Sequence, residues 1–363
     1  MLSRLLYFND EVIYSFLDGL LKKKSIKEVY FWLSEYYYSG FQEETWTYIF
    51  KIYYDFYAIT NPKLESFLVK NYNSYQKSEN IEYILNCVKT LYHSKSNPII
   101  FCLSNIKYNN PTSIYVGRVP KWLKQLNVDN KNNINLIRII NEFNWNKCNK
   151  LLFYLNKCED YKMCYQDVIT YFKSKSKIKN KLVKLETIPY DNYKHIILTL
   201  IIHCCLNEKE IKKNKVISNY DSNECAIIKE FDNLLNPNKI LKTYRYYYTS
   251  TNIGCFDLYR YRNNDLQFIL DNWDYYCFKT PLWNDIIKKY NGKQKSLKKT
   301  LKFSTAENCE DFYNKYGYEP DEQDKETQQK SLINIEKNNV MGWLNQMYDY
   351  SVLYEQLPSK LIY

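Results

Sequence analysis

The chain is poor in the residues that build nucleotide cradles. Its 363 residues include 7 glycines, which stand apart at Gly19, Gly40, Gly117, Gly254, Gly292, Gly317 and Gly342. A phosphate-binding loop, a dinucleotide Gly-x-Gly-x-x-Gly turn and a Gly-x-Ser-x-Gly elbow all need neighbouring glycines, because the backbone there must turn sharply or approach its ligand closely. This scarcity excludes the common ATPases, kinases, dinucleotide enzymes and α/β hydrolases, and no cofactor is expected. Histidine is scarcer still, with 3 residues, His93, His195 and His203, so a His-Glu-x-x-His site is absent and no metal is expected. Long apolar runs are missing too. The longest, Ile196 to Leu206, is about half the length that a membrane span requires. The N-terminus meets Asn9, Asp10 and Glu11 before any signal-peptide core could form. Without Gly at position 2 or a terminal prenylation box, no lipid anchor is expected. A membrane partner is therefore not anticipated.

Other scarcities record the genome. There are 3 Ala and 6 Arg against 45 Lys, 41 Asn and 39 Tyr. The favoured residues have A/T-rich codons, which accounts for much of the net charge of +11. A Lys excess ordinarily points to a polyanion partner, but here many lysines reflect codon usage. Arg, the bidentate reader of phosphate, is not enriched that way. The 11 cysteines are odd in number and have no Cys-x-x-Cys spacing, so neither a zinc ribbon nor a thioredoxin motif is present. Among 41 Asn there is no Asn-x-Ser/Thr acceptor, where chance would supply roughly four. Free thiols and missing acceptors together indicate a reducing, cytoplasmic setting rather than secretion.

What is present is helical periodicity. Val12, Ile13, Phe16, Leu17, Leu20 and Leu21 form one apolar stripe, and Trp46, Ile49, Phe50, Tyr53 and Tyr57 form another. Ser25-Ile26-Lys27-Glu28 has the capping-box form and opens a helix through Tyr38, with Gly40 as a stop. Asn61-Pro62, Asn97-Pro98, Asn236-Pro237 and Thr280-Pro281 each place a capping side chain before Pro, which predicts helices starting near 62, 98, 237 and 281. Further helices are expected at 79–92, 133–155, 160–173, 191–206, 222–235, 264–278 and 340–356, with 253–261 the best candidate for an extended piece. The fold class is mainly α, an irregular helical-hairpin or solenoid-like bundle of two helical regions with little or no sheet. The expected layout is an N-terminal helical region at 1–172, a basic linker or exposed helix at 173–189, a second helical region at 190–290, a polar mobile segment at 291–338 containing a Lys cluster at 293–302, and a C-terminal docking helix at 339–363.

The segments Phe31-Trp32-Leu33-Ser34-Glu35-Tyr36-Tyr37-Tyr38-Ser39-Gly40-Phe41, Tyr53-Tyr54-Asp55-Phe56-Tyr57 and Asn61-Pro62-Lys63 form one patch. Trp273-Asp274-Tyr275-Tyr276 with Thr280-Pro281-Leu282-Trp283 forms a second. In these two patches the chain resembles an uncharacterised conserved helical family of large nucleocytoplasmic (giant) DNA viruses. The family has no assigned activity, so no catalytic residue carries over. The resemblance implies a viral protein of the infected-cell cytoplasm, viral factory or virion.

Several residue sets could carry chemistry. His195 and His203 lie two turns apart beside Cys204 and Cys205. A metal or thiol site is one reading and a buried helix with partnered His is the favoured one. Cys148, Cys158 and Cys164 are read as structural thiols. Asp271 and Asp274 at i, i+3, with Asp285 near, could serve a metal-dependent nuclease, but carboxylates at this spacing are common on helix surfaces. The strongest positive feature is segment 239–262. It combines Lys242, Tyr244, Arg245, Arg260 and Arg262, a mixture that grips phosphate and stacks on bases. The leading expectation is a non-enzymatic structural or protein-interaction component whose exposed Tyr and Trp bind protein partners. The alternative is a nucleic-acid-binding accessory of transcription or packaging acting through 239–262.

Overall fold

The computed structural model describes residues 1–105, 118–178, 183–206, 217–224, 226, 228, 253–256, 258, 268–269, 271–295, 299–317 and 340–348. In chain order the helices are α1 (Asn9–Leu21), α2 (Ile26–Tyr38), α3 (Gln42–Phe56), α4 (Leu64–Ser78), α5 (Glu82–His93) and α6 (Ile99–Ser104). There follow α7 (Lys121–Lys124), α8 (Lys131–Asn141), α9 (Cys148–Asn156), α10 (Tyr161–Ser174) and α11 (Tyr193–Cys205). After these come α12 (Trp273–Cys277), α13 (Pro281–Lys289), α14 (Ala306–Tyr316) and α15 (Val340–Asn345), with strands β1 (Lys293–Lys295) and β2 (Thr300–Lys302) between α13 and α14. The protein is mainly α, and the one sheet among the described residues has two strands. No helix among the described residues is long and apolar enough to cross a membrane.

Capping chemistry sets several boundaries where the sequence puts them. The Ser25 hydroxyl accepts from the Glu28 amide, the Asn97 side chain from the Ile99 amide, and the Thr280 hydroxyl from the Trp283 amide. Each satisfies a donor that the first helical turn leaves open. The helix expected over 133–155 is instead two, α8 and α9, joined by a 3-10 turn at Trp145–Lys147. The break follows Asn141, whose side-chain oxygen accepts from the Tyr171 hydroxyl at 3.1 Å, and Phe143 and Asn144 beyond it are weak helix formers. Within the extended piece expected at 253–261, Ile253–Phe256 is a 3-10 turn, and of the remainder only Leu258 lies among the described residues.

Two compact units divide the chain, and their layout differs from the expected succession of regions. One comprises Met1–Thr45 and Tyr220–Val340, the other Trp46–Asn219 and Met341–Tyr363. The stretch 173–189 is described at 173–178 and 183–189. Leu185 and Ile188 within it, and Tyr190 just beyond, are buried, and these apolar anchors tie the lysine-rich chain to its unit.

In the first unit, α1 and α2 pack as a hairpin on Val12, Phe16, Leu20, Val29 and Phe31, all buried. Gly40 adopts φ 95°, and a Cβ there would lie 3.2 Å from the Pro281 ring, so α2 ends against the start of α13. The Trp283 indole donates to the Arg4 carbonyl at 2.8 Å, and the Leu2 amide donates to the Tyr276 carbonyl at 3.1 Å. These bonds stitch the chain start to sequence nearly 280 positions away. Below them Arg4 and Glu35 form a buried ion pair at 3.0 Å. The Leu5 amide donates to the other Glu35 oxygen at 2.8 Å, and the Arg4 guanidinium lies 4.9 Å from the Tyr38 ring centre. Burial pushes the Glu35 carboxyl above its usual range, outweighing the opposing pull of Arg4.

In the second unit, α4 with α5, α8 with α9, and α10 with α11 pair as helical hairpins. At the end of the chain α15 docks in this unit. Leu344 is fully buried, and Trp343 meets Phe56 and Phe101 edge-on. Of the docking helix expected at 339–363, Val340–Asn345 is helical and residues 346–348 form a turn.

Candidate functional site

A concentration of exposed lysines lies where α13 runs into the β-hairpin. Pro281 pre-sets the first turn of α13, and Trp283 and Ile287, both fully buried, hold one face to the core. The helix ends in a Schellman arrangement. The Asn291 amide donates to the Lys288 carbonyl and the Gly292 amide to the Ile287 carbonyl, both at 2.9 Å, with Asn291 at φ 56°. Position 292 admits no side chain, since a Cβ would lie 2.5 Å from Ile287 Cγ2 and 3.0 Å from the Phe303 ring. The chain therefore reverses tightly into β1.

β1 and β2 are antiparallel, with Lys293 opposite Lys302, Gln294 opposite Leu301 and Lys295 opposite Thr300. An aromatic platform supports them. Phe303 packs on Phe312 with ring centres 5.1 Å apart, and Phe312 stacks on Trp273, which meets Trp283 edge-on. The Gln294 side chain donates to the Tyr275 carbonyl at 3.2 Å. With the neutral face committed inward, Lys293, Lys295 and Lys302 point to solvent, alongside exposed Lys288, Lys289 and Lys299.

Between Ile286 and Ala306 the sequence holds seven lysines, Lys298 among them, and no Asp or Glu. Among the described residues none of the other six is paired with a carboxylate. Like charges directly opposite across a hairpin repel, so Lys293 and Lys302 are set where they cost stability. Beside them opens a pocket of about 740 Å³, lined by Phe278, Lys288, Asn291, Lys293, Gln294 and Ser304. Its lining residues include two lysines, two carboxamide side chains, a serine and one aromatic ring, and no Asp or Glu, although most of the lining surface is apolar. Such a lining donates hydrogen bonds to an anion and offers a ring face to a planar group.

The residues singled out from sequence fare differently. Lys242, Tyr244, Arg245, Arg260 and Arg262 lie outside the described residues, as do the helix start at 237 and most of 222–235. His195 is a partnered core histidine. It shares a 2.7 Å hydrogen bond with the Tyr190 hydroxyl and lies 3.0 Å from Asp55, which Lys51 meets at 3.1 Å. Burial opposes the Asp55 charge, but Lys51 and His195 more than offset it and hold the carboxyl below its usual range. His203 meets the Ile59 carbonyl, while burial pushes the Cys204 and Cys205 thiols up to about 12.

Asp274 is tied to structure. The Tyr313 hydroxyl donates to it at 2.5 Å and the Tyr275 amide at 2.7 Å, and burial raises its carboxyl. Asp271 and Asp285 are exposed, and no cluster of three metal-ligating side chains exists among the described residues. The tryptophans do not supply an exposed docking face. Trp32, Trp46, Trp273, Trp283 and Trp343 are buried, and Trp122 and Trp145 are half-buried.

The hairpin itself falls within the stretch expected to be mobile, 291–338, in which 293–295, 300–302 and 306–316 form β1, β2 and α14. The signal for it was Asn291-Gly292 closing an amphipathic helix, followed by alternation in Thr300-Leu301-Lys302-Phe303. No family model, curated protein or solved structure matches the chain.

Proposed function

We propose that the protein is a non-enzymatic, helical nucleic-acid-binding component of a large DNA virus, and that the α13–hairpin face holds the phosphate backbone of a single strand. One observation carries this reading: seven lysines without an intervening carboxylate, three of them on the outer face of a hairpin whose other face is packed. Lysine abundance through codon usage explains lysines scattered over a surface. It does not explain Lys293 opposite Lys302 beside a pocket free of carboxylates. Phe278 in that pocket favours a single strand, whose unpaired bases can stack on a ring. The viral setting rests on the resemblance of the two sequence patches, and the protein would act in the cytoplasm, the viral factory or the particle.

The test is binding of a fluorescent single-stranded oligonucleotide, followed by anisotropy across a salt series. The expected result is an affinity that falls steeply with salt, as counterion release requires. The Lys293→Ala, Lys302→Ala double variant should bind at least tenfold more weakly, with a log–log salt slope shallower by about 0.7 per lysine removed. Unchanged affinity and slope would overturn the assignment to this face. Loss of binding only in Arg245→Ala, Arg260→Ala would move the site to 239–262.

A further inference from the structure

The second unit holds a pair of thiols in contact. Cys158 directly follows the cap of α9 and Cys164 lies in the first turn of α10, and their sulfurs are 3.2 Å apart with one S–H shared between them. Both are buried, but the turn above them is not: Lys157, Glu159 and Asp160 are exposed. Two anchors fix the pair. The Cys164 amide donates to the Asp160 carbonyl at 2.9 Å, and the Cys158 sulfur rests against the Tyr154 carbonyl and the Asn133 side chain. Asn133 is held in turn by its 2.7 Å bond to Asp167.

We propose that Cys158 and Cys164 are an intramolecular dithiol–disulfide pair, which closes when the protein meets an oxidising disulfide and staples the end of α9 to the start of α10. A disulfide places its sulfurs about 2.05 Å apart, so each sulfur needs to move by only roughly 0.6 Å. The chemistry is thiol–disulfide exchange with a small disulfide RSSR. The Cys158 thiolate attacks one sulfur of RSSR, forming a mixed disulfide and expelling RS⁻. The Cys164 thiol then attacks the Cys158 sulfur, and its proton leaves with the second RS⁻ as RSH. The protein loses two hydrogens and two electrons, and RSSR becomes two RSH. Cys158 is the attacking thiol because it lies on the exposed turn. Cys164 is fully buried, and the hydrogen bond with Cys158, burial, and the nearby Asp167 and Asp160 all push its thiol far up.

The experiment uses the full-length folded protein incubated with glutathione disulfide, quenched in acid, unfolded and alkylated. Two of the eleven thiols should be lost. Tryptic cleavage after Lys157 and Lys162 puts the two cysteines on different peptides, so the bond is read as a crosslinked peptide pair. That pair should exceed every other cysteine pairing at least tenfold in the folded protein, and lose its dominance when oxidation is done in denaturant. Cys158→Ser should retain all its remaining thiols under the same treatment. A folded protein that keeps eleven thiols, or that forms mixed disulfides and other pairings instead, would overturn the proposal.

Discussion

Charge does two different jobs in the first unit. At the α1–α2 corner, three cations sit beside carboxylates. Arg4 meets Glu35 at 3.0 Å, Lys22 meets Asp18 at 2.6 Å, and Lys24 bridges Asp18 and Glu28. At the α13–hairpin face, six described lysines have no such partner and two stand opposite each other. The first group is charge consumed by folding. The second is charge left over by folding, raised on an aromatic platform and held there against its own repulsion. A lysine count over the whole sequence merges the two, and only pairing separates them.

The largest effect that would sharpen this contrast is at Glu35. Replacing it with Leu leaves Arg4 buried without its carboxylate and the Leu5 amide without its acceptor. Stranding one member of a buried pair costs about 3–5 kcal/mol. Urea unfolding should show that loss, and adding Arg4→Met should recover part of it, because the raised Glu35 carboxyl shows that burial of the pair is itself costly. The sign of that shift fixes the pH dependence. A carboxyl raised in the folded state binds its proton more tightly there, so its contribution is most favourable at acid pH and declines as pH rises through the folded value. Wild type should show this decline on the alkaline side of the usual carboxylate range, and Glu35→Leu should show a smaller one, since raised carboxyls such as Asp274 and Glu65 remain.

The sequence made the helices legible because capping and period act locally. Ser25, Asn97 and Thr280 satisfy donors two or three residues away, so their role is written in neighbouring letters. The units were not legible, because an amphipathic face states that it is buried but not against what. Nothing near Arg4 announces Trp283 as its partner. The hairpin was missed for a different reason. Its strands are three residues each, too short for alternation to outweigh seven lysines. The stabilising residues, Phe303 and Phe312, flank the charged run rather than lying in it. Conversely, reading His195 as a partnered core residue succeeded because apolar neighbours in sequence do report burial. Asp55, 140 positions away, supplies the partner.

A middle-sized effect comes from Gly292→Ala. The new Cβ would meet Ile287 Cγ2 at 2.5 Å and the Phe303 ring at 3.0 Å, overpacking that costs about 1–3 kcal/mol. Every lysine survives this change, yet β1 loses its fixed departure from α13. Nucleic-acid affinity should fall with the salt slope nearly unchanged, because the charges remain while their arrangement does not. If affinity held at wild-type level, net charge rather than geometry would be the recognised property, and the contrast between the two regions would lose its functional meaning.

The smallest effect is the most discriminating, because its two readouts move in opposite directions. Lys302→Glu converts the Lys293–Lys302 pair from repulsive to attractive on an exposed surface, a gain of about 0.2–1 kcal/mol. Urea midpoints should rise slightly at low salt, and the gain should shrink as salt screens it. Oligonucleotide binding should weaken in the same protein. A surface lysine placed by codon usage alone has no reason to oppose its neighbour, and replacing it should leave binding unmoved. A residue that lowers stability where it stands and raises affinity for an anion is doing work that folding does not need.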